Sequence, residues 1–155
     1  MFFITNRAFV EGNKTSEMRK VTFDLENNEA AQSVYFCWRD DAKKAYVELG
    51  SENFMKAVRK APSRQVLFYV HDSFQLPEEN IFPIAEKLQR LFDDQDKGLV
   101  EVVPVIWPCD NGSSVLKDFH EDHIAAEGSG IAFARALEKF LVWRESVKGG
   151  DAPCL

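Results

Sequence analysis

A histidine, a carboxylate and a hydroxyl stand side by side at His71-Asp72-Ser73, followed by Phe74, directly after the apolar run Val66-Leu-Phe-Tyr-Val70. Two chemistries fit that placement. His71, Asp72, Ser73 and Phe74 could form a loop over a reactive centre, its backbone N–H groups aimed at a developing oxyanion. Alternatively, His71 fixes the loop through its own hydrogen bonds, without moving a proton. A second polar group follows another apolar run at Trp107-Pro108-Cys109-Asp110. There Trp107 either floors a pocket or belongs to the core, and Asp110 either meets a substrate or caps the next element.

Other combinations fit known chemistry less well. His120 and His123 share a helix face, as two metal ligands would, but a zinc-protease helix needs His-Glu-x-x-His, four apart. A solvated helix start is expected instead. Ser129 lies between Gly128 and Gly130, but Glu127 and Ala126 precede it and G-x-S-x-G is not formed. Its small side chain suits helix packing. Cys109 has no cationic neighbour in sequence that would make a thiolate. No metal or cofactor is expected.

These residues need elements to position them. Phe2–Thr5 is short and β-prone, ended by Asn6-Arg7. Val21–Leu25 alternates like a half-buried strand. Ser33–Arg39 and Ala45–Leu49 read as a hairpin joined by the polar Asp40–Lys44. After Gly50, Ser51 is placed to cap a helix over Glu52–Lys60, with Phe54, Met55 and Val58 on one face. The run Val66–Val70 reads as a strand covered on both faces. Pro77-Glu78-Glu79 opens a helix with Ile81, Ile84, Ala85, Leu88 and Leu91 in its stripe. Leu99–Trp107 is the next strand, where Pro104 predicts a bulge or an early edge position. Lys117–Lys148 is mostly helical, with Ile131, Ala134, Leu137 and Leu141 in one stripe. Gly128 and Gly130 there predict either close packing on the sheet or a break between two helices.

The fold class expected is α/β. Residues 1–50 form a β-rich antiparallel part and residues 51–155 a parallel βαβα part, together one three-layer domain with a mixed sheet and a long C-terminal helix. At 155 residues the chain is long enough to bury roughly 70% of its unfolded surface. It is 45% apolar and 28% charged, with 13 Phe, which implies an aromatic-rich core. A net charge of −6, with no long basic block, argues against a nucleic-acid partner. No apolar run approaches the ~20 residues that span a bilayer, and the start does not read as a signal peptide, so no membrane partner is expected. Cys37, Cys109 and Cys154 are odd in number and widely spaced. That suits free thiols in a reducing, cytoplasmic compartment.

The series Phe3-Ile-Thr-Asn-Arg7, Val66-Leu-Phe-Tyr-Val-His71, Val105-Ile-Trp-Pro108, Ala132-Phe-Ala-Arg135 and Pro153-Cys-Leu155 resembles a bacterial group of α/β-hydrolase superfamily proteins of uncharacterised function. The resemblance runs over essentially all 155 residues and implies the N-terminal half of an esterase- or lipase-type fold. In that group a strand leading to an Ala-His-Ser-Met-Gly elbow comes next, and the acid and the histidine later still. The resemblance therefore assigns no catalytic residue to this chain. It gives Asp72–Phe74 the role of an oxyanion loop, and the loop after Trp107 a weaker part in the pocket. Where the group has His-Gly, this chain has His71-Asp72. A carboxylate there opposes developing negative charge, which points to a non-catalytic binding or assembly module. A small-molecule ester is the expected ligand if a C-terminal half completes the site. Without the elbow strand, the strand ending at His71 would be an edge, open to pairing in a homodimer.

Overall fold

The computed structural model describes residues 1–12, 14–109 and 115–147, with side chains described throughout except at 115–122 and 147. Six strands form one mixed sheet: β1 (Phe2–Thr5), β2 (Arg19–Val21), β3 (Tyr35–Asp40), β4 (Ala45–Glu48), β5 (Gln65–Val70) and β6 (Val100–Ile106). Their spatial order is β2-β4-β3-β1-β6-β5. The seam lies at β1, which runs antiparallel to β3 and parallel to β6. One half of the sheet is thus built from hairpin-type contacts, and the other from a parallel β5–β6 pair that needs a helical crossover.

Helices α1 (Ser51–Lys60) and α3 (Val115–Val147) cover one face, and α2 (Phe82–Gln95) covers the other. On the first face Phe54, Met55 and Val58 of α1 and Ala136 and Phe140 of α3 pack on Ile4, Phe36, Val103 and Val105. On the second, Ile81 and Phe82 meet Phe3, Phe9, Phe23, Tyr35, Tyr46 and Ile106, while Ala85 packs on Val100 and Val102. The expected α/β class with a mixed sheet and a long C-terminal helix is what the molecule has. The Phe-rich composition is spent here: Phe3 makes edge-on contacts with Tyr46 and Phe82 at centroid distances of 5.8 and 5.3 Å.

Several elements differ from the expectations. The alternation over Val21–Leu25 is real, since Val21 and Phe23 are buried, but β2 stops at Val21. Phe23 instead bridges Phe9, fixed by hydrogen bonds from Val10 N to Thr22 O and from Asp24 N to Ala8 O. Ser51 does not cap α1: Gly50 holds the cap position at φ 74°, and Ser51 Oγ accepts a hydrogen bond from Lys139 Nζ at 2.7 Å. The stripe of α2 is rotated so that Phe82 is buried while Ile84 and Leu91 face outward.

Pro104 makes no bulge and sits in a central strand, paired with Tyr69. Strand alternation turns its missing N–H to the same side as the main chain of Val100 and Val102. There the amide of Gln89 serves both residues, donating to Val100 O (2.8 Å) and accepting from Val102 N (2.9 Å). The ladder with β1 opens only at the next residue, Ile4↔Val105, so the missing donor falls at the start of that ladder and not within it.

Helix α3 runs through Gly128-Ser129-Gly130 without a break. Its buried line is Ala125, Ser129, Ala132, Ala136 and Phe140. The stripe expected from Ile131 and Leu141 points to solvent instead, because small residues let the helix lie close to the sheet. Finally, β5 is not covered on both sides. It is the outer strand, with Leu67 37% and Val70 61% exposed.

Candidate functional site

Polar side chains gather where the parallel strands end. Of the buried polar residues among those described, Thr5, Asn6, Arg7, His71 and Ser129 lie around the carboxyl ends of β1 and β5; Arg39 and Glu48 lie elsewhere. Such strand ends are the usual binding region of parallel sheets.

His71 follows β5 and is 4% exposed. Its ring lies parallel to that of Trp107, which follows β6, with centroids 5.2 Å apart and planes 6° from parallel. Trp107 N donates to His71 Nε2 at 3.1 Å, and Trp107 Nε1 donates to His71 O at 3.0 Å. With Nε2 accepting, the proton sits on Nδ1, which donates to Asp72 O at 2.7 Å. Both ring nitrogens are therefore engaged by main chain. Burial pushes the imidazole pKa down, and the charge of Arg7 acts in the same direction, so the ring is held neutral. The parallel pair β5–β6 brings His71 and Trp107 together, and their exchange of hydrogen bonds locks the two loops to one another.

Asp72 is exposed, and its Oδ1 accepts the N–H of Ser73 at 2.8 Å. The carboxylate thus occupies one of the very donors an oxyanion loop would offer. Phe74 adopts φ 62° and is 43% exposed. Left-handed backbone is uncommon for a bulky residue and marks a constrained turn. Next to it, Gln75 O receives the Sγ–H of Cys109 at 3.1 Å, and Gln75 Oε1 is buried without a hydrogen-bond partner among the described residues.

Asn6 and Arg7 were read from sequence only as the end of β1, yet they organise this end of the sheet. Arg7 is 1% exposed and donates through Nη1 to Cys109 O (2.9 Å) and through Nη2 to Leu25 O (3.0 Å) and Asn28 Oδ1 (2.8 Å). It ties the loop after β6 to the loop before β3. The Asn6 amide donates to Ser129 Oγ at 2.9 Å and accepts from it at 3.2 Å, seating α3 on β1. The signal for both was a polar pair directly after a short, mostly apolar strand.

Trp107 is 8% exposed and packs with Cys109, Ala125 and Phe133. Asp110 and the side chain of His120 lie outside the described residues. His123 is exposed on α3 and reaches Glu127 Oε1 at 3.4 Å. Among the described residues no group of three His, Cys, Asp or Glu side chains could hold a metal. An open hollow of about 440 Å³, lined by Thr15, Ser16, Glu48, Ser51 and Lys139, lies beside α1 and away from the His71 loop. No helix among the described residues is long and apolar enough to cross a membrane. Comparison of the chain with family models, with curated proteins and with solved structures finds no match in any of the three.

Proposed function

We propose that this chain is an α/β-hydrolase-type scaffold of esterase lineage that binds at the carboxyl ends of β5 and β6 and does not itself catalyse hydrolysis. The observation that carries the reading is the engagement of His71. Its two nitrogens serve the main chain of Trp107 and Asp72, which leaves neither for a nucleophile. Ser129 supports the same view, since its hydroxyl is shared reciprocally with Asn6. An acyl-transfer site needs a nucleophile within hydrogen-bond reach of a base, and at the carboxyl ends of β5 and β6 neither His71 nor Ser129 belongs to such a pair. The contacts of Ser63 with Glu101 (3.1 Å) and of Ser51 with Lys139 (2.7 Å) lie away from that end. The Asp72 carboxylate on Ser73 N–H is adverse to an oxyanion as well.

Placement of the helices supports a ligand crevice here. Helix α2 carries the chain from β5 to β6 on one face, and α3 leaves β6 on the other. The chain therefore leaves the ends of β5 and β6 on opposite faces, which makes the gap between those two ends a switch point of the sheet, where ligands of α/β proteins bind. Phe74 and Trp107 suit the acyl or alkyl part of a small ester. Cys37 is a buried free thiol, and we assign the protein to a reducing cytoplasmic compartment.

The test is turnover of p-nitrophenyl acetate and butyrate by the purified protein. The expected rate is background, unchanged in His71→Ala. Robust hydrolysis abolished by replacing one serine of this chain would overturn the reading.

A further inference from the structure

The outer edge of β5 is built to pair, and we propose that its occupant is a second copy of β5, antiparallel, in the register centred on Phe68. The reasoning starts from the direction of the main chain. Gln65 N donates to Leu99 O, and β5 stays in register with β6 from Gln65↔Val100 to Val70↔Val105. Odd-numbered residues of β5 therefore turn their N–H and C=O groups to β6. Alternation turns those of Val66, Phe68 and Val70 to the open side.

An antiparallel partner must match outward groups with outward groups. With Phe68 opposite Phe68 of the second copy, Val66 lies opposite Val70 and Val70 opposite Val66, each pair exchanging both main-chain hydrogen bonds. Side chains obey the same register. Val66, Phe68 and Val70 share the face that carries α3, so three apolar pairs line up there and the exposed Val70 gains a partner. On the other face Leu67 lies opposite Tyr69. The register also places Arg64 of each copy opposite Asp72 of the other, beyond the two ends of the paired strands. Both residues are exposed, and among the described residues of the single chain Arg64 bridges only to the exposed Asp96. Opposite charges directly across a strand pair favour that pair. A two-fold axis normal to the sheet satisfies all of this and closes the assembly as a dimer with one continuous sheet. The usual guards of an open edge are lacking: β5 has no lysine, no proline and no bulge.

The test is sedimentation equilibrium of the full chain from about 1 to 100 µM, with hydrogen exchange at the amides of Val66, Phe68 and Val70. The expected result is a concentration-dependent dimer whose formation slows exchange at those amides. Val70→Lys should weaken it by roughly tenfold or more, since a lysine guards an edge strand. Arg64→Asp should weaken it too, and adding Asp72→Arg should restore it, because the exchanged pair keeps opposite signs. A monomer at 100 µM overturns the proposal. If its β5 amides are nonetheless slow, another segment of the same chain covers the edge. A dimer indifferent to Val70→Lys overturns it as well, by locating the contact elsewhere. Ester turnover plays no part in these readouts, so this proposal and the assignment of the crevice stand or fall separately.

Discussion

The two ends of the sheet are treated in opposite ways. At one end β2 is three residues long, two of them Arg19 and Lys20. Arg19 folds back so that Nη1 and Nη2 donate to Glu11 O (3.3 Å) and Gly12 O (3.1 Å), and Glu11 Oε2 accepts the N–H of Thr22 at 2.8 Å just past the strand. The edge is short, charged and partly covered. At the other end β5 is six residues long, without a charged residue, and among the described residues pairs only with β6. Short charged edges discourage pairing, and long apolar ones invite it. Protection at β2 runs through Arg19, which is partly buried and also pairs with the buried Glu48. It is therefore the more fragile end against single substitutions, while β5 is the more reactive one.

The largest expected effect comes from breaking the guarded end. Arg19 Nε donates to Glu48 Oε2 at 2.7 Å, and Glu48 is 1% exposed, held on its other oxygen by Ser16 N at 3.2 Å. Arg19→Ala strands that carboxylate in the core, and the expected loss is about 3 kcal/mol. Removing both charges as Arg19→Met with Glu48→Met should recover most of it, because the attraction within a buried pair only roughly repays its desolvation. Urea midpoints at pH 7 of the unsubstituted protein and both variants measure these effects. A loss under about 1 kcal/mol in Arg19→Ala would mean the pair behaves as an ordinary surface ion pair.

How much of this was legible beforehand depends on the half of the molecule. Strands β1, β3 and β4 could be placed within two residues, since polar breaks at Asn6-Arg7 and Asp40–Lys44 bound them sharply. The parallel half was legible as strand, helix, strand, but not in its exposure. Continuous apolar runs mark β5 and β6 alike, yet β6 is buried on both sides and β5 is the edge. The order of strands in space decides which, and no local pattern carries that order. The stripe of α3 was misread for a related reason. Its contact face uses Ala125, Ser129, Ala132 and Ala136, which leaves the larger Ile131 and Leu141 outside, so size and burial run opposite to the usual expectation. At the candidate site His71 and Trp107 were both legible as residues at strand ends. Their mutual lock was not, because it arises only when β5 and β6 lie side by side.

That lock gives a middle-sized prediction with a pH signature. His71 is buried and neutral, its pKa lowered from the ordinary 6.5 by burial first and by Arg7. Between the lowered folded value and 6.5 the unfolded chain binds a proton that the folded chain does not, so stability is full above about pH 6.5 and falls as pH drops through that window. Below the folded value the loss levels off. His71→Gln should cost about 1–2 kcal/mol at pH 7 through imperfect hydrogen bonding and should remove the His71 share of the slope. Urea midpoints from pH 5 to 7.5, taken as the difference between the two proteins, isolate that share. Equal slopes would show that the imidazole titrates alike in both states, and the lock would then be no barrier to protonation.

The smallest effect separates strain at the open end from strain at the guarded one. Three described residues other than glycine have left-handed backbone: Met18 at φ 57°, Lys44 at φ 49° and Phe74 at φ 62°. Lys44 sits in the tight turn between β3 and β4, and Met18 just before β2, where the chain must reverse within a few residues. Phe74 lies in the longer loop after β5, where no hairpin closes on it, and it is bulky and 43% exposed. Left-handed backbone costs a side chain about 1–2 kcal/mol, while glycine's greater freedom in the unfolded chain takes back about 0.5–1. Phe74→Gly should therefore leave stability unchanged or raise it by up to about 1 kcal/mol. If thermal and urea unfolding bear this out, the strain at Phe74 is carried for its exposed ring, as a binding loop would carry it. A loss beyond about 1 kcal/mol would instead make the ring a packing element that holds the loop against Trp107 and Cys109. In that case the conformation at Phe74 needs no ligand to account for it, and the crevice would rest on the buried His71–Trp107 pair alone.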